Sequence, residues 1–271
     1  MSRAAATSSL RELDPTDPIS WSFSGFSQNG EDGIIDYLAS RLRNPNYYFV
    51  EIGAADGLEN NTSWLAIARR YSGLMLEADP DAAAVCQQMI SGRGGLNIRV
   101  ESVCARVTRE NAPAIGRRAL FRDADVYSID IDGNDYHVTE ALLNAGFRPK
   151  ICVVEYNSAF GPARSMTVQY RSDHAIDFDD TVGSLYYGAS ITGWRSLFVK
   201  NGYVFVTVEP SGTNAFFIDP AEFEPNFVKG LKGLAFQENL WQLMRLRVGW
   251  REQFELIEDR EFVEVARAGT P

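Results

Sequence analysis

The chain has 271 residues, of which 45% are hydrophobic and 23% charged. That is enough for a full core and ordinary for a soluble globular protein. A formal net charge of −10 excludes a sequence-independent nucleic-acid binder, because neutralising phosphates needs a basic surface. No apolar run approaches the roughly 18 residues of a membrane span, and residues 1–13 carry basic side chains without the apolar stretch of a secretory signal. Cys86, Cys104 and Cys152 show no Cys-x-x-Cys spacing and read as free thiols of a reducing compartment. A cytoplasmic protein is the expectation.

Residues 1–17, rich in Ala, Ser, Thr and Pro, read as a flexible tail. Residues 18–235 then alternate strand and helix signals. Ser27 is placed to cap a helix over residues 28–43, with Ile34, Ile35, Leu38 and Leu42 on one face. Tyr48-Phe49-Val50-Glu51-Ile52 reads as a buried strand, followed by the turn Gly53-Ala54-Ala55-Asp56-Gly57 and a helix over residues 62–71. Gly73-Leu74-Met75-Leu76-Glu77 is a second strand, residues 80–90 a helix, and residues 97–103 a third strand. Residues 106–123 are less regular. Residues 126–132 form the fourth strand, residues 136–145 a helix closed by Gly146, and residues 151–156 the fifth strand.

The glycine turn and the second strand define a nucleotide-type cofactor pocket. Glu77 stands about 20 residues past Gly57, where a ribose diol needs acceptors. The pattern acidic-x-Gly-x-x-x-Gly differs from the Gly-x-Gly-x-x-Gly that seats a pyrophosphate on a helix N-terminus. Its carboxylates, Glu51 and Asp56, would repel a diphosphate and attract a sulfonium ligand carrying an amino group. S-adenosylmethionine is therefore expected, with Glu51, Gly53, Ala54, Asp56, Gly57, Glu77, Ala78 and Asp130 around it and Ser102 within reach of the adenine. A dinucleotide-dependent oxidoreductase and a non-catalytic binding domain are the alternatives.

Residues 158–187 have no clear period and read as a lid or acceptor-binding loop. Ser190 caps a helix ending before Gly202. Only five residues then separate the runs at 203–208 and 214–218, too few for a parallel crossover, so these two strands form a hairpin. The expected fold is a three-layer α/β/α Rossmann-like domain whose mostly parallel seven-stranded sheet closes with an antiparallel hairpin. That sheet resembles the one in class I S-adenosylmethionine-dependent methyltransferases. Residues 236–271 read as a helical extension that either caps the domain or forms a homodimer contact.

Four motifs narrow the resemblance. Val50-Glu51-Ile52-Gly53-Ala54-Ala55-Asp56-Gly57, Leu76-Glu77-Ala78-Asp79-Pro80, Ser128-Ile129-Asp130-Ile131-Asp132-Gly133-Asn134-Asp135 and Val153-Val154-Glu155 follow the order seen in FkbM-like methyltransferases. The usual fourth motif of that family is Lys-Ile-Asp-Val-Glu-Gly-x-Glu; here Ser128 stands for the lysine, and Asp132 and Asp135 for the glutamates. The resemblance implies O-methylation of a hydroxyl or carboxyl group on a small-molecule acceptor, such as a sugar or natural-product intermediate.

The acidic run at the end of the fourth strand lies where open α/β sheets bind ligands. Asp130, Asp132, Glu155 and Asn157 offer oxygen ligands for Mg²⁺ or another divalent cation, which would lower the pKa of an acceptor hydroxyl. Capping by Asp135 and orientation of the cofactor's amino group are the other uses of the same carboxylates. His137 and His174 are the two histidines and the imidazole bases available. His137, beside the acidic run, is preferred to His174, and Asp130 completes the candidate catalytic set. Tyr186, Tyr187 and Trp194 form a candidate aromatic wall for the acceptor.

Overall fold

A computed structural model of the protein describes residues 12–176 and 179–267. Of the expected tail, residues 1–11 lie outside that range. Asp14 takes the Trp21 indole N–H on its carbonyl at 2.6 Å. Among the described residues no helix is long and apolar enough to cross a membrane.

Seven strands form one sheet: β1 (Tyr48–Ile52), β2 (Ser72–Glu77), β3 (Val100–Cys104), β4 (Val126–Ile129), β5 (Ile151–Glu155), β7 (Val204–Val208) and β8 (Asn214–Ile218), in the order β3-β2-β1-β4-β5-β8-β7. The first five are parallel, while β8 runs antiparallel to both β5 and β7. The three-layer Rossmann-like sheet with its terminal hairpin is thus present as expected. The short connection at residues 209–213 leaves only the antiparallel solution.

Side-chain alternation sorts the strands onto two faces. Tyr48, Val50, Ile52, Tyr127, Ile129, Cys152 and Val154 join one core. Three helices cover it: α4 (Ala112–Arg118), α5 (Asp135–Asn144) and α6 (Ile191–Lys200). Phe49, Val126, Ile151, Val153, Phe216 and Ile218 join the other core, beneath α1 (Glu31–Ser40), α2 (Ser63–Ile67) and α3 (Pro80–Cys86). The same alternation sends Glu51, Ser128, Glu155 and Asn214 toward the α1 face.

Several boundaries moved for local reasons. Gly30, at φ 100, is the N-cap of α1 rather than Ser27. The Ser27 hydroxyl accepts the Asp32 amide at 3.0 Å while Asp32 Oδ2 accepts the amides of Gly25, Phe26 and Ser27, so a folded loop precedes the helix. β3 starts at Val100 because the Asn97 side chain bonds the carbonyls of Ala66 and Tyr71. The irregular stretch after β3 contains α4, packed beside α5.

The extension holds two short helices. α8 (Leu240–Leu246) ends at Arg247, whose φ of 58 is left-handed, and α9 (Trp250–Glu255) starts afresh after Gly249. Between the sheet and α8 lies the one-turn α7 (Pro225–Gly230). Beyond α9, β9 (Phe262–Glu264) pairs antiparallel with β6 (Met166–Val168), tying the extension to the segment expected as a lid. Two three-residue strands this far apart in sequence leave no local signal. Cys86, Cys104 and Cys152 are free thiols.

Candidate active site

The site lies where β1, β2 and β4 end. At Gly53 the chain turns with φ 88, and its amide and that of Ala54 both donate to the Leu76 carbonyl, at 2.9 and 3.1 Å. The turn presses so closely on β4 that a Cβ at Gly53 would overlap the Asp130 carbonyl oxygen. Ala55 is also left-handed, φ 47, and gives its amide to Glu77 Oε2 at 2.8 Å, while Glu77 Oε1 accepts the Asp79 amide at 2.8 Å.

A cavity of about 440 Å³ opens at these strand ends. Gly53, Glu77, Ala78 and Asp130 line it. Glu51 lines a smaller adjoining cavity. The other expected cofactor residues line neither. Ala54 is core. Asp56 Oδ1 accepts the amides of Leu58 and Glu59, closing the loop on itself. Gly57 packs on Cys86. Ser102 stands opposite Met75 in the middle of the β2–β3 ladder, and the cavity begins only past β3, at Ala105, Arg106 and Val107. Gln28, from the loop before α1, also lines the cavity and had no period to mark it; the polar run Ser27-Gln28-Asn29-Gly30-Glu31-Asp32 ahead of an apolar helix is the signal that points there.

Asp130, Asp132 and Glu155 each turn one oxygen inward, all within 4.8 Å of one another. Burial pushes the Asp130 and Glu155 carboxyls well above the ordinary range, and the neighbouring carboxylates add to this. Asp132, at φ 54, is raised to about 6 by burial and then by Asp135. Asp135 takes no part in the trio: its two oxygens accept the amides of Ile131 and Gly133, each at 2.9 Å, stapling the turn ahead of α5. Asn157 is also outside it. Its amide nitrogen donates to the carbonyls of Leu185 and Tyr187 and its oxygen accepts the Ala159 amide.

The two histidines lie in different surroundings. His137 points away from the carboxylates, with Nε2 on the Val168 carbonyl at 2.9 Å, joining α5 to β6. Burial lowers its pKa and outweighs the acidic neighbours that were expected to raise it. His174 instead lies against Gly133, where any Cβ would overlap its ring, and lines the large cavity. Its Nε2 is buried without a hydrogen-bond partner among the described residues. Burial and then Arg171 lower its pKa, leaving a neutral imidazole able to accept a proton.

A second cavity of about 450 Å³ meets the first at His174 and Ala175. Its walls include Gln169, Arg171, Tyr186 and, from the extension, Asp259, Arg260 and Glu261. Of the expected aromatic wall, Tyr186 faces this cavity, whereas Tyr187 and Trp194 are buried in the domain.

No protein-family model matches the chain, and no curated protein matches it. Solved structures do share its outline. An O-methyltransferase from Bacillus cereus, in complex with S-adenosylhomocysteine, is 18% identical with TM-score 0.45, covering 80% of this chain and 86% of that one. The magnesium protoporphyrin IX methyltransferase from Synechocystis PCC 6803, with bound S-adenosylmethionine, is 9% identical with TM-score 0.42, covering 69% and 77%. A glycopeptide N-methyltransferase complexed with S-adenosylmethionine is 12% identical with TM-score 0.41, covering 69% and 86%.

Proposed function

We propose that the protein is an S-adenosylmethionine-dependent methyltransferase of the FkbM-like kind that methylates an oxygen of a small-molecule acceptor such as a sugar. The observation that carries this reading is the glycine turn. The amides of Gly53, Ala54 and Ala55 are all given to protein oxygens, as are those of Gly57, Leu58 and Glu59. With six of the turn's N–H groups already engaged, few are left to receive a diphosphate, which would also meet acidic side chains on several sides. The same turn suits a ligand with a ribose diol and a positive charge.

In this reading Glu77 receives the ribose hydroxyls through the lone pairs its two backbone contacts leave free, and residues 105–107 flank the adenine. The acceptor enters by the second cavity, where Tyr186 offers an apolar ring face and Arg260 and Asp259 offer polar contacts. His174, at the junction, takes the proton of the acceptor hydroxyl as the oxygen attacks the methyl carbon in line with the breaking S–CH₃ bond. S-adenosylhomocysteine and the methyl ether leave. The sulfonium is already activated, so alignment and proton removal are what the protein supplies.

Asp130, Asp132 and Glu155 also fit the hard oxygen donor set of Mg²⁺, because Glu155 Oε2 is buried without a partner among the described residues. A cation there would make an acceptor hydroxyl more acidic.

Isothermal titration with S-adenosylhomocysteine, with Mg²⁺ and again after chelation, tests both points. Micromolar binding is expected. Its absence in every condition overturns the cofactor reading, and acceptor turnover unaffected by chelation overturns the metal.

A further inference from the structure

Behind the glycine turn is a small cavity of about 70 Å³ that shares Gln28, Gly53, Glu59 and Asp130 with the large one. Three elements distant in sequence supply its buried walls: Glu31 at the start of α1, Glu51 near the end of β1 and Asn214 at the start of β8. Pleat alternation puts Glu51 and Asn214 on the α1 face. Glu31 and Glu51 are each 1% exposed and Asn214 is 3% exposed.

The hydrogen bonding leaves this cavity rich in acceptors. Asn214 Nδ2 donates to Glu31 Oε1 at 2.9 Å, which fixes the amide orientation and leaves Oδ1 without a partner among the described residues. Glu51 Oε2 has none either among the described residues. The other amides lining the cavity point their N–H groups at protein oxygens: Gln28 at Glu59, Asn29 at Glu31, Asn60 at the Ala54 carbonyl and Asn61 at Ser128. Among the described residues no lysine or arginine lines it. The two buried acceptors left without a partner, Glu51 Oε2 and Asn214 Oδ1, beside the acidic Glu31, call for a compact cation with several N–H donors. A primary ammonium has three.

We propose that Glu31 and Asn214, together with Glu51, seat the α-ammonium group of the cofactor's amino-acid end. This rests on the methyltransferase reading above and makes α1 and the antiparallel hairpin part of the cofactor site, although both lie outside the glycine turn and the β2 carboxylate. Gly53 is the hinge point: it lines both cavities, so a ligand whose ribose reaches Glu77 passes over Gly53 to place its amino-acid end here.

The test compares three ligands by titration: S-adenosylhomocysteine, its analogue with hydrogen in place of the α-amino group, and 5′-methylthioadenosine, which lacks the amino-acid end. Wild-type protein should bind S-adenosylhomocysteine at least ~10-fold more tightly than the deaminated analogue, as expected for a charge-assisted contact. Glu31→Gln and Asn214→Ala should each weaken S-adenosylhomocysteine by ~10-fold or more and leave 5′-methylthioadenosine within about 2-fold, which also reports that the variants are folded. Equal wild-type affinity for S-adenosylhomocysteine and the deaminated analogue overturns the proposal without any variant. So do variants that weaken both nucleosides alike, or neither. Wild-type protein that binds none of the three overturns the methyltransferase reading itself.

Discussion

Gly53 leaves no room for a side chain against Asp130: a Cβ at φ 88 would overlap the Asp130 carbonyl oxygen. The end of β1 and the end of β4 therefore approach backbone to backbone, and the large cavity and the acidic trio share a wall. Gly53→Ala should cost about 3 kcal/mol of stability, from left-handed strain and overpacking together. Chemical denaturation measures this. A loss below about 0.5 kcal/mol would mean that the two strand ends separate easily.

Glu77 both holds the turn and faces the cavity. Its replacement by Ala removes the acceptors offered to a ribose and frees the amides of Ala55 and Asp79. S-adenosylhomocysteine affinity should fall about 100-fold, the scale of two hydrogen bonds to a charged group. Titration that shows an unchanged affinity would remove Glu77 from the cofactor site.

The histidines should separate chemistry from stability. His174→Ala should lower kcat about 100-fold or more with S-adenosylhomocysteine binding nearly intact, as for loss of a general base. His137→Ala should lower the melting temperature by a few degrees through loss of the Val168 contact and leave kcat within about 3-fold. The reverse pattern would restore His137 as the base.

Ligand-free protein should be most stable at mildly acidic pH. Burial raises Asp132 to about 6 and Glu51 to about 8, so each neutral carboxyl is favoured by folding. Their contribution is complete below the ordinary carboxyl range and is lost as pH rises through about 6 and then about 8. The melting temperature should accordingly fall from about pH 5 to pH 8, and Glu51→Gln should flatten the upper part. A curve that rises across that interval would contradict the protonated cluster.

The same group should make cofactor binding release protons. At pH 7 Glu51 is mostly neutral, given its value of about 8; an ammonium beside it favours the carboxylate and expels the proton. Titration with S-adenosylhomocysteine in two buffers of different ionisation heat should show release that Glu51→Gln abolishes. Release unaltered in that variant would assign the proton elsewhere.

The chain order of the strands, the hairpin and the glycine turn were readable because each rests on local patterning. Apolar runs bounded by Gly and Pro mark strands, and a five-residue connection allows only one topology. β6 and β9 were not readable, since three-residue strands have no period and find each other only in the folded chain. The break between the two helices of the extension was not readable for a related reason: Arg247 is a left-handed residue that composition does not mark.

By itself, then, the sequence determined the Rossmann-like sheet and placed Gly53, Glu77, Asp130, Asp132 and Glu155 at one edge, because strand ends and side-chain alternation are properties of neighbouring residues. Tertiary structure decided which polar groups remain unspent. Asn157 and Asp135 are consumed by backbone contacts, His137 is turned to Val168, and His174 is carried to the cavity. It also brought Asn214 to Glu31 across the domain. Hydrogen-bond satisfaction depends on groups far apart in the chain, and only packing brings those groups together.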